Sequence, residues 1–488
     1  MSTANRVQVL TVRESVPGTT PTTPRMRTVR LTGESLSFTP DYVDSDELRS
    51  DRMLGDPIKV MQASTGGVNF EVSYPEDNSP LSEFYRSAFF NPWVNTPTFD
   101  NDVTADSVVT DAGTVANTYA VVSGGTAVVV GHLVRATGFT NAANNQIFRA
   151  ASSTGTTIVG TALSLTAETA PPAGAKLKVV GFQGASADIT ATATGLGSTA
   201  LNFTTLGLVV GQWIKIGGTA AGDQFATAVR NDWMRITAIT ATALTLDNRP
   251  SGWTTDAGTG KTIKVWFGDQ IRNGTTATAL SLEKGFLDQT TPTYIINTGM
   301  QVNTLGHTIT SRQNITGSAA FLGMGGSQST TALDASPDVA TTGQVMAANA
   351  NVGRLAENGS TLTDPNWSRE ISFQINNNLR TLEAVDQASP VQIAPGECTV
   401  TGQCTTYFGS NVLLAKLYAG TATAINARVA KNSQALIYQF PRVTFRSGVP
   451  AATGKNTDVV LQSDFVAAAD TTLTNCSILC DRLPYFEV

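Results

Sequence analysis

The same short patterns occur twice in this chain, in the same order, and this repetition limits what the chain can fold into. The first pattern is an aromatic residue followed by three large apolar residues: Tyr74, Leu81, Phe84 and Tyr85, then Tyr407, Leu414, Leu417 and Tyr418. Three matches follow: residues 274–279 with 420–424, Ile296 and Val302 with Ile437 and Val443, and Ile315 and Phe321 with Val459 and Phe465. Repetition in this order predicts a duplicated domain.

The first copy of this domain is divided by a long middle region. We expect residues 1–100 and 270–325 to form it, since insertions are tolerated at exposed connections. Residues 367–488 form the second copy. Residues 326–366 are rich in Ser, Thr, Asp, Asn and Gly and are predicted to be an extended linker.

The middle region contains a repeat of its own. Three short runs recur in order: residues 129–135 with 209–215, 161–165 with 242–246, and 176–179 with 262–265. Each alternates apolar and polar residues between turn-forming residues, which is typical of short strands. We therefore predict two inserted β modules, residues 101–183 and 184–269, with chance similarity in a Thr-, Ala- and Val-rich chain as the alternative.

The composition favours short strands and turns over helices. Thr, Ala, Ser, Val and Gly are abundant, with 43 Gly, and we expect a mainly β protein of packed antiparallel sheets. One strand-like run covers residues 28–38. One short helix is predicted in each copy, around Leu81–Phe89 after a Ser79-Pro80 start, and around Val412–Leu417.

Charge is sparse and slightly acidic. Only 14% of residues are charged, against a typical figure of about 25%. Residues 1–100 carry a net charge of −4, residues 101–268 carry +1 and residues 269–488 carry −3. A basic surface for holding DNA is therefore not expected. We also expect neither a membrane span nor a secretion signal, because no apolar run approaches roughly 18 residues and the start lacks an apolar core.

The chain offers little from which to build a catalytic site. Its only histidines, His132 and His307, lie in strand-like runs, and the Gly-rich residues 323–326 have no following Lys to cradle a phosphate. We expect no enzyme activity, no cofactor and no metal site. The four cysteines, Cys398, Cys404, Cys476 and Cys480, lack the spacing of a zinc site. Buried thiols are favoured, and disulfides stay open.

The densest charge cluster lies in residues 44–52. Its charged members are Asp44, Asp46, Glu47, Arg49, Asp51 and Arg52. A calcium loop would need alternating ligands and a central Gly, and the cluster provides only part of that pattern. A solvated loop is one interpretation. The other is a contact between subunits, where charges of mixed sign fix the register.

These segments resemble a known family. LTGESLSF at residues 31–38, SDELRSDR at 45–52 and FEVSY at 70–74 resemble tail tube (major tail) proteins of tailed bacteriophages. Further matching segments are residues 273–276, 283–286, 298–303, 315–318, 376–380 and 441–443. The resemblance covers about 25–100 and 270–475, and the middle region lies outside it.

The resemblance implies a structural protein whose domains form rings that stack into a hollow tube for genome delivery. Rings of six such domains would need three chains of this length, giving trimeric rings with pseudo-sixfold symmetry. Implied partners are further copies of the chain, the tail terminator, tail-tip and tape-measure proteins, and double-stranded DNA that passes through without specific binding. A tail-tip or baseplate ring, or a head-decoration protein, is the alternative. A tail-associated glycosidase would need a paired-carboxylate cleft, which the sequence does not suggest.

The length of the middle region bears on the tail type. An insertion of this size does not fit inside a passage for duplex DNA or between stacked rings, so we expect it to project outward. A contractile sheath would leave no space for it. We therefore expect a long, non-contractile tail, with the protein made in the host cytoplasm and located in the virion.

Overall fold

Two antiparallel sheets account for most of the protein in the computed structural model, which describes residues 3–102, 108–362, 365–452 and 454–487. Strands contain 44% of the residues and helices 8%, which confirms the predicted mainly β class. Within the described residues, the larger sheet has 18 strands, the smaller has 14, and two strands form a separate ribbon. The many Thr and Val residues suit this fold, because β-branched side chains pack well on a pleated surface.

The larger sheet begins in the first hundred residues. A single turn of 3₁₀-helix (Ala4–Arg6) precedes β1 (Val7–Arg13), β2 (Arg27–Thr28), β3 (Gly33–Glu34), β4 (Ser37–Val43), β5 (Ile58–Glu71) and helix α1 (Pro80–Phe89). The continuous strand predicted over residues 28–38 is wrong. The Val29 N–H donates to the Val9 carbonyl in β1 (2.8 Å), whereas the Thr32 N–H donates to the Asn69 carbonyl in β5 (2.8 Å). The chain changes partners there, which breaks the strand.

The smaller sheet is built from the middle region. Its strands are β6 (Thr98–Asp100), β7 (Val109–Ala112), β8 (Thr118–Val121), β9 (His132–Thr137), β10 (Ile147–Ser153), β11 (Thr157–Gly160), β12 (Glu168–Thr169), β13 (Lys176–Gln183), β14 (Thr190–Ala191), β15 (Gly195–Gly197), β16 (Trp213–Ile216), β17 (Trp233–Ile239), β18 (Ala243–Asp247) and β19 (Lys264–Trp266). Single 3₁₀ turns lie at Gly125–Ala127, Ala142–Asn144, Phe203–Thr205 and Ala228–Arg230.

The two halves of the smaller sheet have the same strand order. The first runs β7-β8-β11-β10-β9-β13 and the second β14-β15-β18-β17-β16-β19, and β13 pairs with β19 where they meet. One hydrogen bond recurs at the same place: His132 Nδ1 accepts from the Val129 N–H, and Gln212 Oε1 accepts from the Val209 N–H, both at 3.1 Å. We call these halves the middle modules.

The rest of the larger sheet follows after residue 268. Its elements, with the separate ribbon, are β20 (Asp269–Arg272), β21 (Leu280–Phe286), β22 (Thr293–Thr310), β23 (Thr316–Leu322), β24 (Gly325–Ser329), α2 (Ala348–Asn351), β25 (Val352–Glu357), β26 (Ser360–Thr361), β27 (Ser368–Asn376), β28 (Arg380–Leu382), β29 (Gln392–Ala394), β30 (Thr399–Tyr407), α3 (Val412–Ala419), β31 (Thr423–Lys431), β32 (Gln434–Ser447), β33 (Val460–Ala467) and β34 (Leu479–Leu483).

One strand arrangement occurs twice in the larger sheet. In what we call the first unit, β22 pairs with β21 and β24 along its first half and with β23 along its second, β21 pairs with β1, and β23 pairs with β5. In the second unit, β32 pairs with β31, β34 and β33 in the same way, β31 pairs with β25, and β33 pairs with β30. A helix follows β5 and β30 in both units, at α1 and α3.

A β-bulge at the same place in both units shows which of their residues correspond. The positions around it are Val302 opposite Phe321 and Thr304 opposite Ala320 in the first unit, and Phe445 opposite Phe465 and Ser447 opposite Asp464 in the second. Val302 therefore corresponds to Phe445. The sequence match of Val302 with Val443 is two residues out of register, because spacing alone does not locate a bulge.

The segment expected to be an extended linker differs from that expectation. Residues 326–366 include most of β24 at one end and β25 and β26 at the other. Between them Met346 is buried, and its N–H donates to the Val72 carbonyl while its own carbonyl accepts from the Ile315 N–H, both at 2.9 Å. Ordinary apolar burial and backbone pairing therefore hold a segment whose composition indicates irregular structure.

The two predicted helices are confirmed. Ser79 caps α1, its Oγ accepting from the Ser82 N–H (3.3 Å), and Pro80 occupies the first helical position. Helix α3 ends at Ala419 and is capped by Gly420, whose positive φ of 62° suits glycine. Both helices contribute to the core of the larger sheet, whereas the middle modules have a separate core.

Candidate assembly surfaces

Strands β4 and β5 form a hairpin that extends beyond the sheet. Ser37–Val43 pairs with the first half of β5, ending with Val43 opposite Ile58, and only the second half of β5 pairs with β23. Residues 44–57 form the tip and are exposed or half-buried. We call residues 37–65 the long arm.

All six predicted contact residues lie at the tip of the long arm and are exposed: Asp44, Asp46, Glu47, Arg49, Asp51 and Arg52. The guanidinium of Arg49 pairs with the carboxylate of Asp51 through two hydrogen bonds, at 2.7 and 3.1 Å. These hydrogen bonds lower the pKa of Asp51. Within the described part of the chain, Asp44, Asp46 and Glu47 form no ion pair and are available to a partner.

The long arm also carries exposed apolar side chains, which the sequence analysis missed. They are Tyr42, Val43, Leu48, Met53, Leu54, Ile58 and Val60. Leu48 is fully exposed, and Met53 and Leu54 are about 70% exposed. Contiguous exposed apolar residues mark interaction sites. Large apolar residues inside a strongly charged loop were the signal that could have revealed them.

A second hairpin lies between β27 and β30, where the second unit has its counterpart of the long arm. It contains the short ribbon of β28 and β29, with Leu382 opposite Gln392. Val385 at its tip is fully exposed. The Ala388 carbonyl accepts a hydrogen bond from the Gln62 N–H of the long arm (2.9 Å), so the two hairpins are in contact.

A polar surface runs across both units on the face of the sheet opposite the core. Strands β5, β23, β22, β27, β30 and β33 pair in that order without interruption. Their alternate residues point away from the core, and most of them are uncharged and hydrophilic: Asn69, Thr316, Ser318, Thr308, Ser372, Gln374, Thr401 and Gln403. The carboxylates of Glu370 and Asp464 lie on the same side of these strands. A groove of about 750 Å³ lies on this surface. We call it the polar face.

The middle modules are attached to the larger sheet through a buried ionic network. Lys178 pairs with Asp77 and Asp269, and Arg482 pairs with the same two carboxylates, at 2.6–2.8 Å. Arg482 and Asp269 are essentially buried, and the guanidinium lies 4.2 Å from the ring centroid of Trp93. Burial alone would raise the pKa of Asp77, but the surrounding cations hold it far below its usual range.

An apolar cluster and a second buried carboxylate complete this junction. The cluster combines module residues with larger-sheet residues: Leu133, Val180, Trp213, Trp233, Trp266, Ala435, Ile437, Leu483 and Phe486. Beside it, Asp481 accepts from the Gln270 side chain (3.0 Å) and the Trp213 N–H (3.1 Å). Burial raises the pKa of Asp481 to about 7, although these hydrogen bonds act in the opposite direction.

The other reactive residues occupy structural positions. His307 is buried, and Tyr85 Oη lies 2.7 Å from its Nε2, while burial lowers the pKa of His307 to about 3. All four cysteines are free thiols, and Cys398 alone among them is half-buried. Within the described residues, no group of three or more His, Cys, Asp or Glu side chains could hold a metal ion. In the same residues, no helix has the length and apolar character needed to cross a membrane.

Comparison with known proteins identifies the family of the chain. The family model described as "Phage tail tube protein" matches residues 4–467. No curated protein sequence matches the chain. The match spans nearly the whole chain and includes the middle modules, which the resemblance of short segments had left outside. The chain therefore belongs to the phage tail tube protein family and is a structural component of the virion tail.

Proposed function

We propose that three chains form a closed ring with pseudo-sixfold symmetry, and that rings stack into the tube of a long, non-contractile tail. The observation that carries this proposal is the repeated strand order of the first and second units, which supports their interpretation as two copies of one tail tube domain. Six such domains per ring, as the resemblance implies, require three chains. Head-to-tail contacts between identical chains make closed rings when the rotation closes.

The polar face suits the inner surface of this tube. It is continuous across both units and consists largely of Thr, Ser, Asn and Gln side chains. The carboxylates of Glu71, Glu370 and Asp464 on this face outnumber the guanidinium of Arg446, which lines the groove, and they would repel DNA phosphates rather than bind them. Such a surface lets duplex DNA pass without specific binding.

The long arm suits contacts between chains. Its tip combines charges of both signs with exposed apolar residues, and apolar contact supplies affinity while charge pairing supplies register. Exposed ion pairs alone contribute little, so the apolar residues would provide most of the stabilisation. A contact with the same ring or with the next ring is compatible with this composition.

The middle modules suit an outward position. Their net charge is near zero, and they form their own sheet and core apart from the polar face. An outward position leaves no room for a contractile sheath, which supports the non-contractile tail type. The tail terminator, tail-tip and tape-measure proteins would then contact the ends and interior of the tube, and the genome would leave through it.

Electron microscopy of the purified protein tests this function. Tubes of stacked rings, with three chains and six similar lobes in each ring, are the expected result. Six chains per ring would contradict the pairing of one chain with two domains. Single rings that never stack would favour a tail-tip or baseplate ring, and binding to capsids without rings would favour head decoration.

A further inference from the structure

The first and second units are joined inside one chain by strand pairing. Seven residue pairs link β22 to β27, from Thr304 opposite Asn376 to Thr310 opposite Glu370. In the first unit the joint uses the edge of β22 that does not pair with β23, and in the second unit it uses the edge of β27 that does not pair with β30. A third unit added in the same way would pair with the corresponding edge of β32. It would do so through its own counterpart of β27, which in the first unit is β4.

Both of these edges are free in the described chain. The last residues of β32 pair with β33 on one side only, and β4 pairs only with β5. The Ser35 N–H donates to the Gly67 carbonyl (2.9 Å), so alternate residues from Ser35 face β5 and Phe38 directs its backbone groups outward. An unpaired edge of this kind is a template for another chain.

The repeated register assigns the partners residue by residue. Thr304 corresponds to Ser447, since each is the first residue after the bulge. Asn376 corresponds to Thr39. The residues opposite them, in β30 and in β5, precede two matching glycines by the same number of positions. These glycines, Gly402 and Gly66, face Phe465 and Phe321 respectively.

We propose, resting on the ring described above, that the end of β32 in one chain adds to β4 of the next chain, with Ser447 opposite Thr39 and Gly448 opposite Phe38. The joint between chains then repeats the joint inside the chain. It is shorter, for two reasons. Pro450 has no N–H to donate, and the Leu36 N–H already donates to the Glu34 carboxylate (2.9 Å).

The helices provide an independent observation for the same joint. In the first unit, α1 lies at the internal joint, where the second unit covers it: the Asn377 side chain donates to the Ala88 carbonyl (2.9 Å), and Tyr438 contacts Tyr85, which is fully buried. In the second unit, α3 leaves Val412 52% exposed and Tyr418 77% exposed. The sequence match pairs Tyr418 with Tyr85, so the next chain is expected to cover α3.

Cysteine pairs test the proposed register in assembled tubes. In the variant Thr39→Cys with Ser447→Cys, the two thiols face each other across the joint, within disulfide reach. The control variant Asp41→Cys with Ser447→Cys shifts one thiol by two residues along the same strand, to a diagonal position about 7–8 Å away. Mild oxidation should give at least tenfold more covalent dimers and trimers with the first pair, and no species larger than three chains.

The outcomes separate this inference from the proposed function. Tubes without a 39–447 cross-link, or with equal cross-linking of the control, would overturn the inference and leave the tube function intact. Wild-type protein that forms neither rings nor tubes would overturn both. As a second measurement, Tyr418→Glu should reduce assembly at least tenfold, whereas Val115→Glu, at a 64% exposed site in the middle modules, should not. Normal assembly of Tyr418→Glu would contradict the covering of α3.

Discussion

The first and second units have the same strand order, yet their surroundings differ. The helix of the first unit is buried under Trp93, Tyr438 and Arg482, all from neighbouring parts of the same chain. The helix of the second unit exposes Val412 and Tyr418. One fold can therefore present a closed surface or an open one, depending on which neighbours the chain itself provides.

The difference extends to polar groups. Beside the helix of the first unit, the side chains of Lys178, Asp269 and Arg482 are buried and paired, because the middle modules and the last strand exclude water from them. Around the second unit the ion pair of Lys416 with Glu357 lies nearer the surface. Substitutions in this buried network should therefore change monomer stability, whereas those on exposed surfaces, including the long arm, should change assembly.

The largest effect on stability is expected at Arg482. Replacing it in Arg482→Met leaves Asp77 and Asp269 buried with fewer partners, and breaking a buried ion pair costs about 3–5 kcal/mol. Urea unfolding should show a loss of that size. Arg49→Met removes an exposed ion pair and should leave the free energy of unfolding nearly unchanged. Equal effects of the two variants would remove the distinction between closed and open surfaces.

A pH effect is expected at Asp481. Its pKa is raised by burial to about 7 in the folded protein, against about 3.9 in an unfolded chain. The folded state therefore binds more protons between these values, so this contribution to stability is complete below about pH 4 and is lost as the pH rises through 7.

Asp481→Asn should remove that dependence. The difference in unfolding free energy between wild type and variant should change by up to about 1.4 kcal/mol per pH unit between pH 4 and 7. In Asp51→Asn, at an exposed site, the same difference should stay nearly constant over this range. A flat difference for Asp481→Asn would mean that the carboxylate is charged throughout.

A smaller effect on stability is expected when the hydroxyl group of one tyrosine is removed from α1 or from α3. The Tyr85 hydroxyl is buried within hydrogen-bond distance of His307 Nε2 (2.7 Å) and Tyr438 Oη (2.5 Å). Tyr85→Phe removes it and leaves buried polar groups unpaired, at a cost of about 1–3 kcal/mol. Tyr418→Phe, on the exposed helix, should stay within about 0.5 kcal/mol. Thermal unfolding of both variants in the unassembled state measures this contrast.

Much of the fold could be predicted because it depends on local patterns that occur twice. Ordered repeats indicated the duplication, and cap residues such as Ser79 located a helix. The register did not follow from sequence, because the extra residue of a bulge shifts a match by a position or two without changing composition. The change of partner strand between Val29 and Thr32 also depends on tertiary contacts, which a local sequence pattern does not contain.

The candidate surfaces were predictable only in part. The charged residues at the tip of the long arm were visible as a cluster, because charge density is a local property. The apolar residues beside them look like ordinary core residues in a sequence, and only the projecting hairpin shows that they are exposed. The buried network of Asp77, Lys178, Asp269 and Arg482 joins positions that are 91 to 405 residues apart in the sequence, so no local pattern indicates it.

The smallest effect on stability, together with a large effect on assembly, is expected at the tip of the long arm. Replacing Asp46, Glu47, Arg49 and Arg52 together with Ser removes exposed charges, so the free energy of unfolding should stay nearly unchanged. Tube formation should nevertheless fall sharply, since complementary charges become register-setting when partly desolvated between subunits. Replacing exposed Lys455 and Asp458 with Ser provides a control of the same kind away from the arm. Turbidity and electron microscopy measure assembly, and undiminished tube formation by the fourfold variant would return residues 44–52 to the interpretation of a solvated loop.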